Sequence, residues 1–295
     1  MANLKEIRNR IASIKSTQQI TAAMKMVAAS KLRRAQNAIL TLRPYAVKLQ
    51  EILGDLTASM DADQQSELAR VREPKRILLI VMSSNRGLCG AFNTNVIRAG
   101  LQLMQETYRE QYEKGDLSLI TIGRKASEFF TKRKYPVIER LDHLFDNLKF
   151  DQVSPLAEQL MAQFTKGDYD RIILVYNQFK NAATQKLVNE PFLPVIPAQL
   201  GKQSKAVHKD YILEPKREEL TQELIPKILR IQLYKALLDS FAAEHGARMT
   251  AMHQATDNAK ELLKELQLNY NKARQAAITN EILEIVSGAN ALKDG

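Results

Sequence analysis

The sequence predicts an α/β central domain held between two long terminal helices that pair as an antiparallel coiled coil. Two observations carry this. Residues 1–43 and 247–287 contain neither Gly nor Pro, and between them short β-branched apolar runs alternate with helical patterns. The 295 residues carry 26% charge, 6% aromatics and no Trp, a composition of one modest core plus exposed helix.

The first helix comes first in the chain and carries most of the charge. Residues 1–50 hold ten basic residues against one acid, Glu6, a surplus of +9 within a total of +10. Such a face suits nucleic acid, a membrane surface, an acidic protein partner or plain solvent. Leu4, Ile7, Ile11 and Ile14 step by 3 and 4, the spacing of a coiled-coil seam, and the same phase resumes from Ala28 through Leu32, Ala35, Ile39, Leu42, Ala46, Leu49 and Leu53 to Leu56. Gln18, Thr21 and Lys25 are the polar slots between. Around them Ile20, Met24 and Val27 shift to a neighbouring face, which reads either as a register adjustment or as a contact site. Pro44 keeps the phase but predicts a bend near Arg43.

The chain then divides into a linker over 59–74, an α/β domain over 75–200, a connection over 201–216, the C-terminal helix over 217–288 and a tail over 289–295, after a first helix over 1–58. Ile77–Met82, Leu117–Ile122 and Arg171–Tyr176 read as buried strands, and 95–112 and 154–164 as helices. Gln185–Ile196, broken by Pro191 and Pro194, reads as an edge strand. Strand and helix in alternation imply a largely parallel, Rossmann-like sheet.

Ser83–Asn93, SSNRGLCGAFN, is a glycine-containing turn opening a helix, where α/β domains often take phosphates. It lacks GxGxxG, and the chain has no GxxxxGK[ST], so Gly87 and Gly90 read as a tight turn with Cys89 as a small packed residue. One cysteine leaves no intramolecular disulfide. His143, His208, His245 and His253 have no metal-ligand spacing, and His245 and His253 read as helix-surface or seam-flanking residues. No nucleophile has a base beside it, so the expectation is a non-enzyme with no cofactor and no metal. The longest apolar run, Ile77–Met82, is far short of a bilayer span.

The last helix carries a second seam: Met249, Met252, Thr256, Ala259, Leu263, Leu266, Tyr270, Ala273 and Ala277. At about 1.5 Å per residue it is longer than the first, starting as early as 218 with a kink at Pro226. Its end therefore overhangs, and Ile278, Ile282, Ile285 and Val286 there need a socket on another chain.

Three segments resemble the gamma subunit of bacterial F-type ATP synthase: ITAAMKMVAASKLRRAQ at 20–36, RGLCGAFN at 86–93, and 247–289, ending in Ile278, Thr279, Glu281, Glu284, Gly288 and Ala289. Asn85 departs from the Asp that the family commonly has there, and the plant-type insertion with a cysteine pair is absent. The resemblance implies a central rotor shaft, itself non-catalytic. Three alpha and three beta subunits surround it, and the epsilon subunit and c-ring meet its α/β domain, peripherally at the cytoplasmic face of the cell membrane. It further implies that Met24, Lys25, Arg274, Gln275, Thr279, Glu281 and Glu284 meet the catalytic head, and that Tyr211 and Glu214 lie near the epsilon and c-ring end. Without the resemblance, a basic coiled-coil nucleic-acid binder is the alternative. Tyr45 is the one aromatic in residues 1–57, however, and no nucleic-acid module is recognisable.

Overall fold

The computed structural model describes residues 4–57, 66–195 and 217–293. Two compact units emerge, one of Ala28–Arg248 and one of Met1–Val27 with Met249–Gly295. The first helix, α1 (Leu4–Thr57), and the last, α6 (Arg217–Lys293), each contribute to both. α6 continues to Lys293, through the stretch where the sequence predicts a tail from 289. Both helices run through their prolines, Pro44 and Pro226, without a break in the assignment.

In the larger unit a five-stranded sheet has the order β3-β2-β1-β4-β5. β1 (Ile77–Met82) pairs in parallel with β2 (Leu117–Ile122) and β4 (Arg171–Phe179), and β2 pairs in parallel with β3 (Val137–Arg140). β5 (Gln185–Leu193) runs antiparallel at the edge beside β4. All six residues of β1 are fully buried, because both faces of the sheet are covered. Ile77, Leu79 and Val81 face α2 (Phe92–Gln102), α3 (Arg109–Lys114) and α4 (Arg124–Lys132). Leu78, Ile80 and Met82 face α5 (Phe150–Lys166) and the opening turns of α6, where Ile225, Ile228, Leu229, Leu233 and Leu237 complete the core.

The helix predicted over 95–112 is two helices, α2 and α3, joined by a π-helical segment at Leu103–Thr107. α4 and β3 have no counterpart in the sequence reading. They are short, and their outer residues are charged. Gly123, between β2 and α4, has φ +100°, and a Cβ there would lie 2.1 Å from the Ser83 carbonyl oxygen. No other residue fits that approach. The gap lets Ser83 Oγ accept from the Ala126 N–H at 2.8 Å and donate to the Gly123 carbonyl at 3.0 Å, fixing α4 to the end of β1.

In the smaller unit the two helices are antiparallel: Thr21 meets Thr256, while Leu4 and Ile7 share a groove with Leu266, Ala273 and Ala277. Ile7, Met252, Thr256, Ala259 and Leu266 are buried along the seam. Beyond Ala277 every residue through Ala289 is exposed.

Candidate functional site: the turn, the coil and its overhanging end

The carboxyl ends of β1 and β4 flank the point where the strand order reverses, which is where open α/β sheets bind ligands. In this chain the crevice is filled from within. Cys89 and Phe92 pack against Ala243 of α6, and Asn177 at the end of β4 donates to the Phe92 carbonyl at 3.2 Å. Asn93 accepts from the Ser84 N–H at 2.9 Å and donates to Cys89 Sγ at 3.2 Å. The Cys89 thiol is 1% exposed, and burial pushes its pKa up, so it packs rather than reacts. Leu88 and Gly90 take positive φ, 62° and 58°, the tight turn that the two glycines predict.

α6 locks this turn with polar residues. Arg248 donates to the carbonyls of Arg86 at 2.9 Å and Gly87 at 3.3 Å, and to Glu244 at 2.6 Å. Its Nη1 also lies 3.2 Å from His245 Nδ1, so the imidazole accepts there and is neutral. Burial, then the charges of Arg248 and Lys31, hold the His245 pKa down at about 3. His245 is thus no surface or seam-flanking residue: it is buried edge-on to Phe241, ring centroids 4.4 Å apart. His253 is exposed and paired with Asp257 at 3.1 Å.

Asn85 explains its own departure from Asp. Its amide donates to the Asp142 carbonyl at 2.8 Å and to the Asp146 carboxylate at 3.2 Å, and its oxygen accepts from the Arg124 N–H at 3.0 Å. A carboxylate here would keep only the last of these and would face Asp146.

A buried carboxylate sits further along α6. Asp239 is 5% exposed, and burial raises its pKa to about 6, with Lys235 and Arg43 pulling it back and Glu190 adding to the rise. Folding therefore takes up a proton between about pH 4 and 6, and stability falls as pH rises through that window, by about 3 kcal/mol at ~1.4 kcal/mol per unit. His245 has the opposite sign: the unfolded ring binds a proton below its ordinary 6.5, while the folded ring stays neutral to about 3. Between pH 4 and 6 the two slopes oppose each other. Asp239→Asn should therefore stabilise the protein at pH 7 by up to ~3 kcal/mol, lose that advantage by pH 4, and steepen the acid limb. Urea titrations at the two pH values read both effects.

On the coil, the polar interruption contains a bond between the helices. Thr256 Oγ1 and Thr21 Oγ1 lie 2.8 Å apart, and each hydroxyl also has a carbonyl acceptor on its own helix, Met252 for Thr256 at 2.7 Å and Gln18 for Thr21 at 3.0 Å. A slip of register would separate the two hydroxyls and set each against an apolar residue of the facing helix, so the pair favours one register. Thr21→Val should cost ~1 kcal/mol, and adding Thr256→Val should cost little more. Additive losses in thermal melts would contradict this pairing. Met24 and Lys25 are half-buried one turn on, and Ile20 and Val27 are exposed at 57% and 58%.

Arg274, Gln275, Thr279, Glu281 and Glu284 are exposed on the end of α6, with Thr279 donating back to the Gln275 carbonyl at 2.9 Å. Beside them Ile278, Ile282, Leu283, Ile285 and Val286 are 47–71% exposed. Tyr211 and Glu214 lie outside the described residues. Among the described residues, no helix is long and apolar enough to cross a membrane.

An α/β domain whose crevice is filled from within, and a pair of antiparallel helices of which one ends in exposed apolar side chains, define the class of protein. A family model described as ATP synthase matches residues 3–292. The chain is 54% identical to the ATP synthase gamma chain of Flavobacterium psychrophilum over 293 residues, covering 99% of this chain and 100% of that one. It is 52% identical to that of Christiangramia forsetii over 294 residues, covering 99% of each. Among solved structures, it matches a chain of the Tetrahymena thermophila mitochondrial ATP synthase central stalk and c-ring at 28% identity. The TM-score there is 0.59, over 80% of this chain and 99% of that one. A chain of the Euglena gracilis mitochondrial ATP synthase shares the fold with TM-score 0.66 at 23% identity, over 98% of this chain and 94% of that one. The chain belongs to the ATP synthase gamma-chain family.

Proposed function

We infer that this chain is the central rotor shaft of an F-type ATP synthase, coupling ion-driven rotation of a membrane ring to conformational cycling of catalytic subunits. It has no active site of its own, and the chemistry belongs to the complex. The observation that carries the reading is the antiparallel pairing of the two helices in the smaller unit, packed along its seam and bare beyond Ala277. Torque transmission needs a rod that resists bending and twisting, which favours interlocked side chains and disfavours interior glycine. The one glycine in the middle of α6, Gly246, has a reason in packing: a Cβ there would lie 3.3 Å from the Ala182 backbone.

The finer partner assignment places three alpha and three beta subunits around one copy of this chain, with the epsilon subunit and the c-ring at the α/β domain. Met24 and Lys25 are the contacts to beta near the polar interruption. Arg274, Gln275, Thr279, Glu281 and Glu284 engage the upper head, and their exposure supports this. Tyr211 and Glu214 serve the epsilon and c-ring end. The exposed basic side chains of α1, among them Arg8, Lys15, Arg33 and Arg34, face acidic loops of beta. Association with the membrane is peripheral, through the complex, at the cytoplasmic face of the bacterial cell membrane.

The test is mechanical. With the hexamer immobilised and a bead fixed to this chain, ATP should drive rotation in one direction. ATP turnover by the hexamer with a stationary bead would contradict the shaft assignment.

A further inference from the structure

In the larger unit the amino edge of the sheet collects cations from three separate segments. β1 to β4 all run in one direction, so the residues that precede each of them lie at one level. Arg70 and Arg76 lead into β1, Lys132, Arg133 and Lys134 link α4 to β3, and Lys166 closes α5 ahead of β4. All six are exposed, and none forms an ion pair within 4 Å among the described residues. The acids nearby do not balance them. Glu73 and Glu110 are already paired with Lys75 and Lys114. Asp170 is 8% exposed and turned inward, accepting from the Lys75 and Arg76 N–H groups at 3.2 and 2.8 Å. Asp116 and Asp168 are the exposed acids left on this edge.

We propose that this edge rests on the headgroups of anionic phospholipids, so that the chain touches the membrane surface directly as well as through the complex. The proposal rests on the reading of this chain as a shaft turned by a membrane ring. Breadth and chemistry both favour a lipid surface. From the segment before β3 to the segment before β4 is three strand spacings, about 14 Å at ~4.8 Å each, wider than one phosphate. Val71, 67% exposed between Arg70 and Arg72, sets an aliphatic group among the cations, where it can sink below the headgroups. The aromatics there, Tyr112, Tyr135 and Tyr169, pack against the two cores and leave no ring for a base to stack on, which disfavours nucleic acid. Since no described helix is long and apolar enough to cross a bilayer, the contact stays at the surface. Each Lys or Arg held near an anionic membrane strengthens binding about fivefold, and salt screens that attraction.

Flotation of the assembled complex of this chain with alpha and beta subunits, in which the basic α1 is enclosed, tests the proposal. The vesicles are phosphatidylglycerol and phosphatidylcholine in equal parts, and phosphatidylcholine alone. At ~100 mM salt the unsubstituted complex should float with the anionic vesicles and not with the neutral ones. Lys132→Glu, Lys134→Glu and Lys166→Glu combined should weaken that binding at least tenfold, the matching Gln substitutions should weaken it less, and ~500 mM salt should erase the difference. Variants within twofold of the unsubstituted complex, or equal flotation with neutral vesicles, would overturn the proposal while leaving the shaft reading intact. Calorimetric binding of glycerol 3-phosphate that the same substitutions abolish would overturn it in favour of a small-anion site. Weaker docking of the variants to a c-ring held in phosphatidylcholine would overturn it in favour of a protein contact. If no complex with alpha and beta forms, the shaft reading fails, and flotation of the free chain decides the lipid contact by itself. There the three reversals should weaken binding more than equal reversals at the exposed Lys260, Lys264 and Lys272 of α6, and equal losses would overturn the proposal.

Discussion

Arg248→Met should destabilise the folded chain by ~3–5 kcal/mol, the cost of removing one member of a buried ion pair. The size follows from what is left behind. Glu244 is 6% exposed, burial already raises its pKa, and Arg248 is its nearest compensating charge, at 2.6 Å. The carbonyls of Arg86 and Gly87 lose their donors in the same step. Adding Glu244→Gln should recover part of the loss by removing the stranded carboxylate, whereas Glu244→Gln alone should cost less than Arg248→Met. Denaturant melts of the three variants measure this. Equal, additive losses would mean that the pair is not coupled and that Arg248 acts only by packing.

Removal of residues 278–295 should separate two properties that usually fall together. Ile278, Ile282, Leu283, Ile285 and Val286 are about half or more exposed, so the coil's own core gives up almost nothing when they go. Its last seam residues, Ala273 and Ala277, remain. The melting temperature of the free chain should move by only a degree or two. Assembly with the alpha and beta subunits should weaken at least tenfold, because each large aliphatic side chain seated in a socket contributes on the order of 1 kcal/mol. A drop in melting that matched the drop in assembly would place these side chains in the coil's own core.

The sequence is most informative where one chemistry repeats. β1 appears as an unbroken apolar run, ILLIVM, and β2 as a mostly apolar one, LSLITI, because both faces of a parallel sheet are buried. The seams of α1 and α6 persist over enough turns that the overhang follows from length alone. Short elements are less legible: α4 and β3 depend on Gly123 sitting against Ser83, a tertiary contact with no local period. Polar residues mislead most. Glu244, His245 and Arg248 look like ordinary helix surface, and only the turn that folds over them makes them core. For Thr21 and Thr256 the signal was present, since each is a polar slot in its own seam, but pairing them requires the register. The site residues at the end of α6 came from resemblance, since exposed Arg, Gln, Thr and Glu on a helix carry no signature of a partner.

The proposed place of this chain as a single shaft inside a ring of other subunits fixes the stoichiometry of the intact complex. Native mass measurement of the assembly purified through this chain should give one copy per three alpha and three beta subunits. A stable free monomer, or recovery in equimolar ratio with alpha and beta, would contradict it.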